Sequence, residues 1–184
     1  MEQIVYVKEM IENFISNLSR QALFIKHYDT EQIHKAEFMQ LLPNSPSVTC
    51  LYHEYQANTM YEAYEPFLEW IRFCYIHFYK DTITAEDFLT QCQVYSLHVE
   101  PLANYLTSGI CKRNEDLIFT ELNFETANIF LDFINIFRYI AKEKQMVLII
   151  SAFHLAPLGS VKTLLDLLKQ NIPNLHFIIV YNDT

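Results

Sequence analysis

The chain reads as an α/β domain with three layers, αβα, around a mostly parallel sheet. Three observations predict this. Short apolar runs at 21–28, 46–54, 145–153 and 174–181 alternate with segments of helical periodicity. The last two runs are apolar almost without interruption, the pattern of strands buried on both faces of a parallel sheet. Helical stretches between strands supply the crossovers that parallel pairing needs.

Each element has its own justification. In "YVKEMIENFISNL" (6–18), Val7, Met10, Ile11, Phe14, Ile15 and Leu18 fall at helical spacing. "QALFIKHY" (21–28) is a short apolar run that turns polar and predicts the first strand. "EQIHKAEFMQLL" (31–42) returns to helical periodicity and stops before Pro43, and "PSVTCLYHE" (46–54) is rich in β-formers. Pro66 suits the first turn of a helix running to Lys80. Thr84, followed by Glu86 and Asp87, predicts a capped helix start, with a break expected around Pro101. A long helix is expected from about Thr120 to Lys144, then the strand "QMVLIISAF" (145–153). Gly159 opens a helix that Pro173 stops, and "NLHFIIVY" (174–181) is the last strand.

Composition narrows the function. The 184 residues suffice for one domain with a full core, and 51% apolar content excludes a disordered chain. The net charge of −9, with 13 scattered lysines and arginines, argues against direct nucleic-acid binding by this segment. No apolar run is long enough for a membrane helix, and the N-terminus lacks the pattern of a secretion signal. A soluble, cytoplasmic domain without membrane contact is the expectation. Cys50, Cys74, Cys92 and Cys111 form no C-x-x-C pair and fit reduced, buried thiols, so no metal site is expected. Gly-x-Ser-x-Gly and His-Glu-x-x-His are missing, and the seven histidines are scattered without ligand spacing. Glycine occurs only at 109 and 159. Backbone amides approach phosphate where glycine lets them, so the chain has little means of building a phosphate nest.

Pattern and order carry a resemblance. "FRYIAKEKQMVLIISAFHLAPLGSVKTLLDLLKQNIPNLHFIIVYNDT" (137–184) runs from a long helix into an apolar strand, a loop with hydrophobic and histidine, a leucine-rich helix and a further strand. "YEPFLEWI" (64–71) and "ALFIKHYDTEQIHKAEFMQLL" (22–42) fall in matching order. In this the chain resembles the STAND group of signal-transduction NTPases, relatives of the AAA+ ATPases with a P-loop NTPase fold. The resemblance spans nearly the whole chain. It implies a visible strand order of 2-3-4-1, with a helical insertion between strands 2 and 3. It also implies that residues 1–184 are one P-loop NTPase-like domain, the first part of a longer regulator.

The signature residues are changed. Aligning the phosphate loop on Lys35 puts Asp29 and His34 at its glycine positions and Ala36 where a hydroxyl would bind magnesium. After the third strand, Ser151 and Ala152 stand where two acids are expected. The family's histidine is kept as His154, and Tyr181 and Asn182 occupy the sensor position. Asp29 and Glu31 would set carboxylates against phosphate oxygens. Like charges about 4 Å apart cost about 4 kcal/mol at an effective dielectric of 20. Lys35 then reads as a solvated helix lysine or a weak anion contact, and His154 as a histidine that bonds nearby backbone.

The function expected is therefore a catalytically inactive NTPase-like module for regulation and protein–protein interaction, with no cofactor, inside a larger signalling or transcription regulator. The alternative is an ATP-binding STAND switch, holding ATP weakly, whose atypical site uses Lys35 and His154 and is completed by further domains. A protein partner or self-association is expected through the sheet edge 21–28 or the aromatic segment 61–80. That segment holds Tyr61, Tyr64, Phe67, Trp70, Phe73, Tyr75, Phe78 and Tyr79, too many for one buried helix face.

Overall fold

The structure, a computed structural model, describes residues 2–26, 47–60, 64–109 and 126–182. The expected helix at 31–42 and the phosphate-loop positions Asp29, His34, Lys35 and Ala36 lie outside the described residues, as does Tyr61.

Four strands form one sheet: β1 Ala22–Lys26, β2 Val48–Glu54, β3 Gln145–Ser151 and β4 Leu175–Tyr181. Every pairing is parallel, in the order β1-β4-β3-β2, which is 2-3-4-1 read from the opposite edge. Six α-helices are described: α1 Glu2–Asn17, α2 Phe67–Cys74, α3 Ala85–Gln91, α4 Ser96–Ser108, α5 Thr126–Ala141 and α6 Leu158–Lys169. Helices α2 to α5 lie between β2 and β3 in sequence, so the helical insertion stands where it was expected. None of the described helices is long and apolar enough to cross a membrane.

The chain packs as two compact units. One comprises Met1–Tyr61, Ala141–Ala156 and Pro173–Thr184, and carries the sheet and α1. Its core follows from two periodicities. Every third or fourth residue of α1 (Ile11, Phe14, Ile15) meets every second residue of the strands (Ile25, Val147, Ile149, Ile178, Val180). The alternate strand positions Leu148, Ile150, Phe177 and Ile179 are also buried, so both faces of the central strands are removed from water, as their unbroken apolar runs predict. Each such side chain contributes about 1.5–3 kcal/mol on burial. His176, the polar residue in β4, turns its ring edge to Phe14 and pairs Nδ1 with the Arg20 carbonyl at 2.9 Å.

The second unit comprises Glu62–Ile140 and Pro157–Ile172. Here the aromatic segment is mostly core: Tyr64, Phe67, Trp70, Tyr75 and Tyr79 are buried, while Phe73 is exposed and Phe78 partly so. Phe67 meets Trp70 and Phe137 edge-on, and Tyr75, Tyr79 and Tyr139 surround Phe88. Among the described aromatics of 61–80, Phe73 is the exposed one, stacked on His77 at 3.9 Å. The helical run does reach Tyr79, but Pro66 is its N-cap instead of a first-turn residue, and its last five residues, Tyr75–Tyr79, form a π-helical turn.

Two expected boundaries are corrected. The break expected at Pro101 falls earlier, where Gln93 takes a left-handed φ of 60° and the Val94 N–H returns to the Leu89 carbonyl at 3.1 Å. Pro101 lies inside α4. The third strand ends at Ser151 instead of 153, because Ala152 adopts φ 52°, ψ 40° and turns the chain into a 3-10 turn at Phe153–Leu155.

Candidate functional site

In open α/β sheets ligands bind beyond the carboxyl ends of the strands. In the sheet-bearing unit those ends are Lys26, Glu54, Ser151 and Tyr181. Parallel register aligns Glu54 with Ser151, and Lys26 with Tyr181. Period-two alternation puts Tyr52 and Glu54 on one face of β2, close enough for the Tyr52 hydroxyl to donate to Glu54 Oε2 at 3.3 Å. The Ser151 side chain hydrogen-bonds the same Tyr52 hydroxyl.

This makes a short polar chain, Ser151–Tyr52–Glu54, at the end of the two strands. Its electrostatics keep the phenol protonated. Burial pushes Tyr52 up to about 12; the bond from Ser151 opposes this, and the Glu54 carboxylate adds to it. Ser151 itself is buried, and its carbonyl accepts the Tyr55 N–H at 3.1 Å. So the first of the two positions expected to hold an acid carries a buried hydroxyl engaged by a neighbouring strand. The second, Ala152, is spent on the left-handed turn.

His154 sits in that turn, exposed, and its Nδ1 accepts the backbone N–H of Asn182 at 3.3 Å. The structure therefore unites two positions that the sequence pattern singled out separately, the histidine after β3 and the residue after β4. An acceptor Nδ1 leaves the ring proton on Nε2, so the side chain acts as a latch between two strand ends. Tyr181, half-buried, lies one residue before.

Other titratable groups nearby are held in their uncharged forms. Burial lowers His53 to about 4 and raises the Cys50 thiol to about 11. A thiol at that value is protonated at neutral pH and a poor nucleophile. Among the described residues, no group of three His, Cys, Asp or Glu side chains is placed to hold a metal ion.

Two members of this site, Tyr52 and Glu54, escape a reading of the sequence as motifs. Their only local signal is the i, i+2 spacing in "LYHE", which says they share a face. That Ser151 is beside them depends on the β2–β3 register. Comparison with protein-family models, with curated proteins and with solved structures finds no match.

Proposed function

We propose that this chain is an NTPase-like module that does not hydrolyse nucleotide and serves regulation and protein–protein interaction within a larger signalling or transcription regulator. On this reading it is a degenerate STAND-type P-loop NTPase domain. The observation that carries the reading is the end of β3. Magnesium in such sites is held by a protein hydroxyl and a carboxylate besides phosphate oxygens, and hydrolysis needs an acid beside the attacking water. At this strand end a buried serine engages Tyr52, and an alanine makes the turn. The fold then serves as a scaffold.

One observation favours the second reading, an ATP-binding switch completed by further domains. Glu54 places a carboxylate one strand away from the expected acid position, in register with Ser151. Isothermal titration with ATP and magnesium, followed by a turnover assay, separates the two. The scaffold reading expects no saturable heat and no phosphate release. Micromolar affinity, with turnover abolished by Lys35→Ala and by Glu54→Gln, would replace it with the switch.

A further inference from the structure

The last turns of α1 and the start of β1 enclose an open pocket of about 340 Å³. Its helical wall is one stripe of α1, with Met10, Asn13, Phe14 and Asn17 at the i, i+3, i+4, i+7 spacing that shares a face. Leu18 then takes a left-handed φ of 27°, and its N–H closes on the Phe14 carbonyl at 2.9 Å. That turn folds the chain back, so Ser19, Arg20 and Leu23 form the opposite wall. Both walls are tied to β4. The Arg20 carbonyl pairs with His176 Nδ1 at 2.9 Å, and the Gln21 carbonyl accepts the Phe177 N–H at 2.9 Å. The Phe14 ring meets the His176 ring edge-on. A pocket held to an interior strand in this way needs little rearrangement to bind.

We propose that this pocket binds a small amphipathic carboxylate, one carboxylate group on a short apolar body. The chemistry of the lining selects that class. Phe14 is buried and Met10 and Leu23 are half-buried, so they offer an apolar surface that takes hydrocarbon out of water. The flexible thioether of Met10 adapts to the shape laid against it. Among the described residues the lining holds one cation, Arg20, and no acid. The planar fork of guanidinium N–H donors matches the two oxygens of a carboxylate, and a single cation suits a single charge. The carboxamides of Asn13 and Asn17 and the Ser19 hydroxyl, all exposed at the rim, add neutral donors. The C-terminus of α1 opposes an anion with about half an elementary charge, which the full charge of Arg20 exceeds. At about 340 Å³ the pocket stands at the small end of the range for ligand sites, about 300–1,000 Å³. It lies at the amino end of β1, away from the carboxyl ends of the strands. The inference therefore goes beyond the module reading and stands whether or not nucleotide binds at those ends.

Sodium hexanoate is the probe, titrated into the full chain through the millimolar range. Binding is followed by the methionine methyl signals in a proton–carbon correlation spectrum. The Met10 methyl, identified by its loss in Met10→Leu, should shift and saturate. Acetate lacks the apolar body and n-hexanol lacks the charge, so each should bind about tenfold more weakly or worse. Arg20→Gln, at an exposed position, keeps the main-chain bond to His176. It should weaken hexanoate by about tenfold, as loss of a charged hydrogen-bond donor does. Asn13→Asp, also exposed, sets a carboxylate on the rim and should weaken binding as well. Circular dichroism checks that both variants are folded. A Met10 signal that stays still or moves without saturating would overturn the proposal. So would acetate or n-hexanol binding as tightly as hexanoate, or an affinity unchanged in folded Arg20→Gln. Should Arg20→Gln fail to fold, an unchanged affinity in Asn13→Asp overturns it in the same way. A flat hexanoate titration removes only the pocket; nucleotide turnover removes only the module reading.

Discussion

Asp132 serves two donors with one carboxylate. Its Oδ1 accepts the Tyr95 N–H at 2.8 Å, and its Oδ2 meets His98 Nδ1. Asp132 and His98 are each only 2% exposed, so neither group can turn to water instead. Removing one partner of a buried pair costs more than the pair contributes, because the other is left desolvated and unsatisfied. Asp132→Ala should therefore destabilise the unit by about 2–4 kcal/mol. Urea denaturation followed by circular dichroism would show it as a lowered midpoint with an unchanged slope. An unchanged midpoint would mean that water reaches His98. This pair was illegible in the sequence. An acid among the apolar residues of "FLDFINIF" hints that something holds it, but its partner is 34 positions away.

At the scale of elements, local chemistry and tertiary chemistry divide the helical insertion between them. Thr84 was legible as a cap, and its hydroxyl oxygen accepts the Asp87 N–H at 3.1 Å while Glu86 and Asp87 occupy the first turn. Thr84→Ala should cost about 1 kcal/mol, typical of an N-cap. Restoration by Thr84→Ser but not by Thr84→Val, in thermal melts, would assign the loss to the oxygen. The start of α4 was not legible. Proline in a helical pattern predicts a break, yet here the chain breaks at Gln93, restarts at Tyr95, and carries Pro101 as the sixth residue of α4. The Asp132 carboxylate holds the N–H of Tyr95 and the ring of His98, and so fixes where the new helix begins. A side chain from another helix outweighs the one main-chain bond that proline forgoes.

The whole molecule is acidic, at −9, and one of its histidines is held neutral in the sheet. Burial lowers His53 from its ordinary value of 6.5 to about 4. Between those values the unfolded chain binds more protons than the folded one at this position, so stability rises with pH. The contribution is complete above about pH 6.5 and is lost as pH falls through about 4. Because His53 is only partly buried, the loss is smaller than its full shift implies. His53→Gln should melt closer to the wild type at pH 4 than at pH 7, with the wild type gaining on it as pH rises. A pH-independent difference would show that the imidazole is not the group being titrated.

What the sequence alone determined is what local patterns encode. Four apolar runs and the amphipathic segments between them fix strands, helices and the α/β class, because a period of two or of 3.6 residues is written in neighbours. The changed residues Ser151 and Ala152 were equally visible there. Only the tertiary structure decided what those residues do. Register beside β2 ties Ser151 to Tyr52 and Glu54, the fold of the two strand ends brings His154 to Asn182, and the Phe177 N–H donates to the Gln21 carbonyl where β1 meets β4. Each of these depends on which distant segments become neighbours, and on which side a main chain faces once they do. Neither is carried by the spacing of residues along the chain.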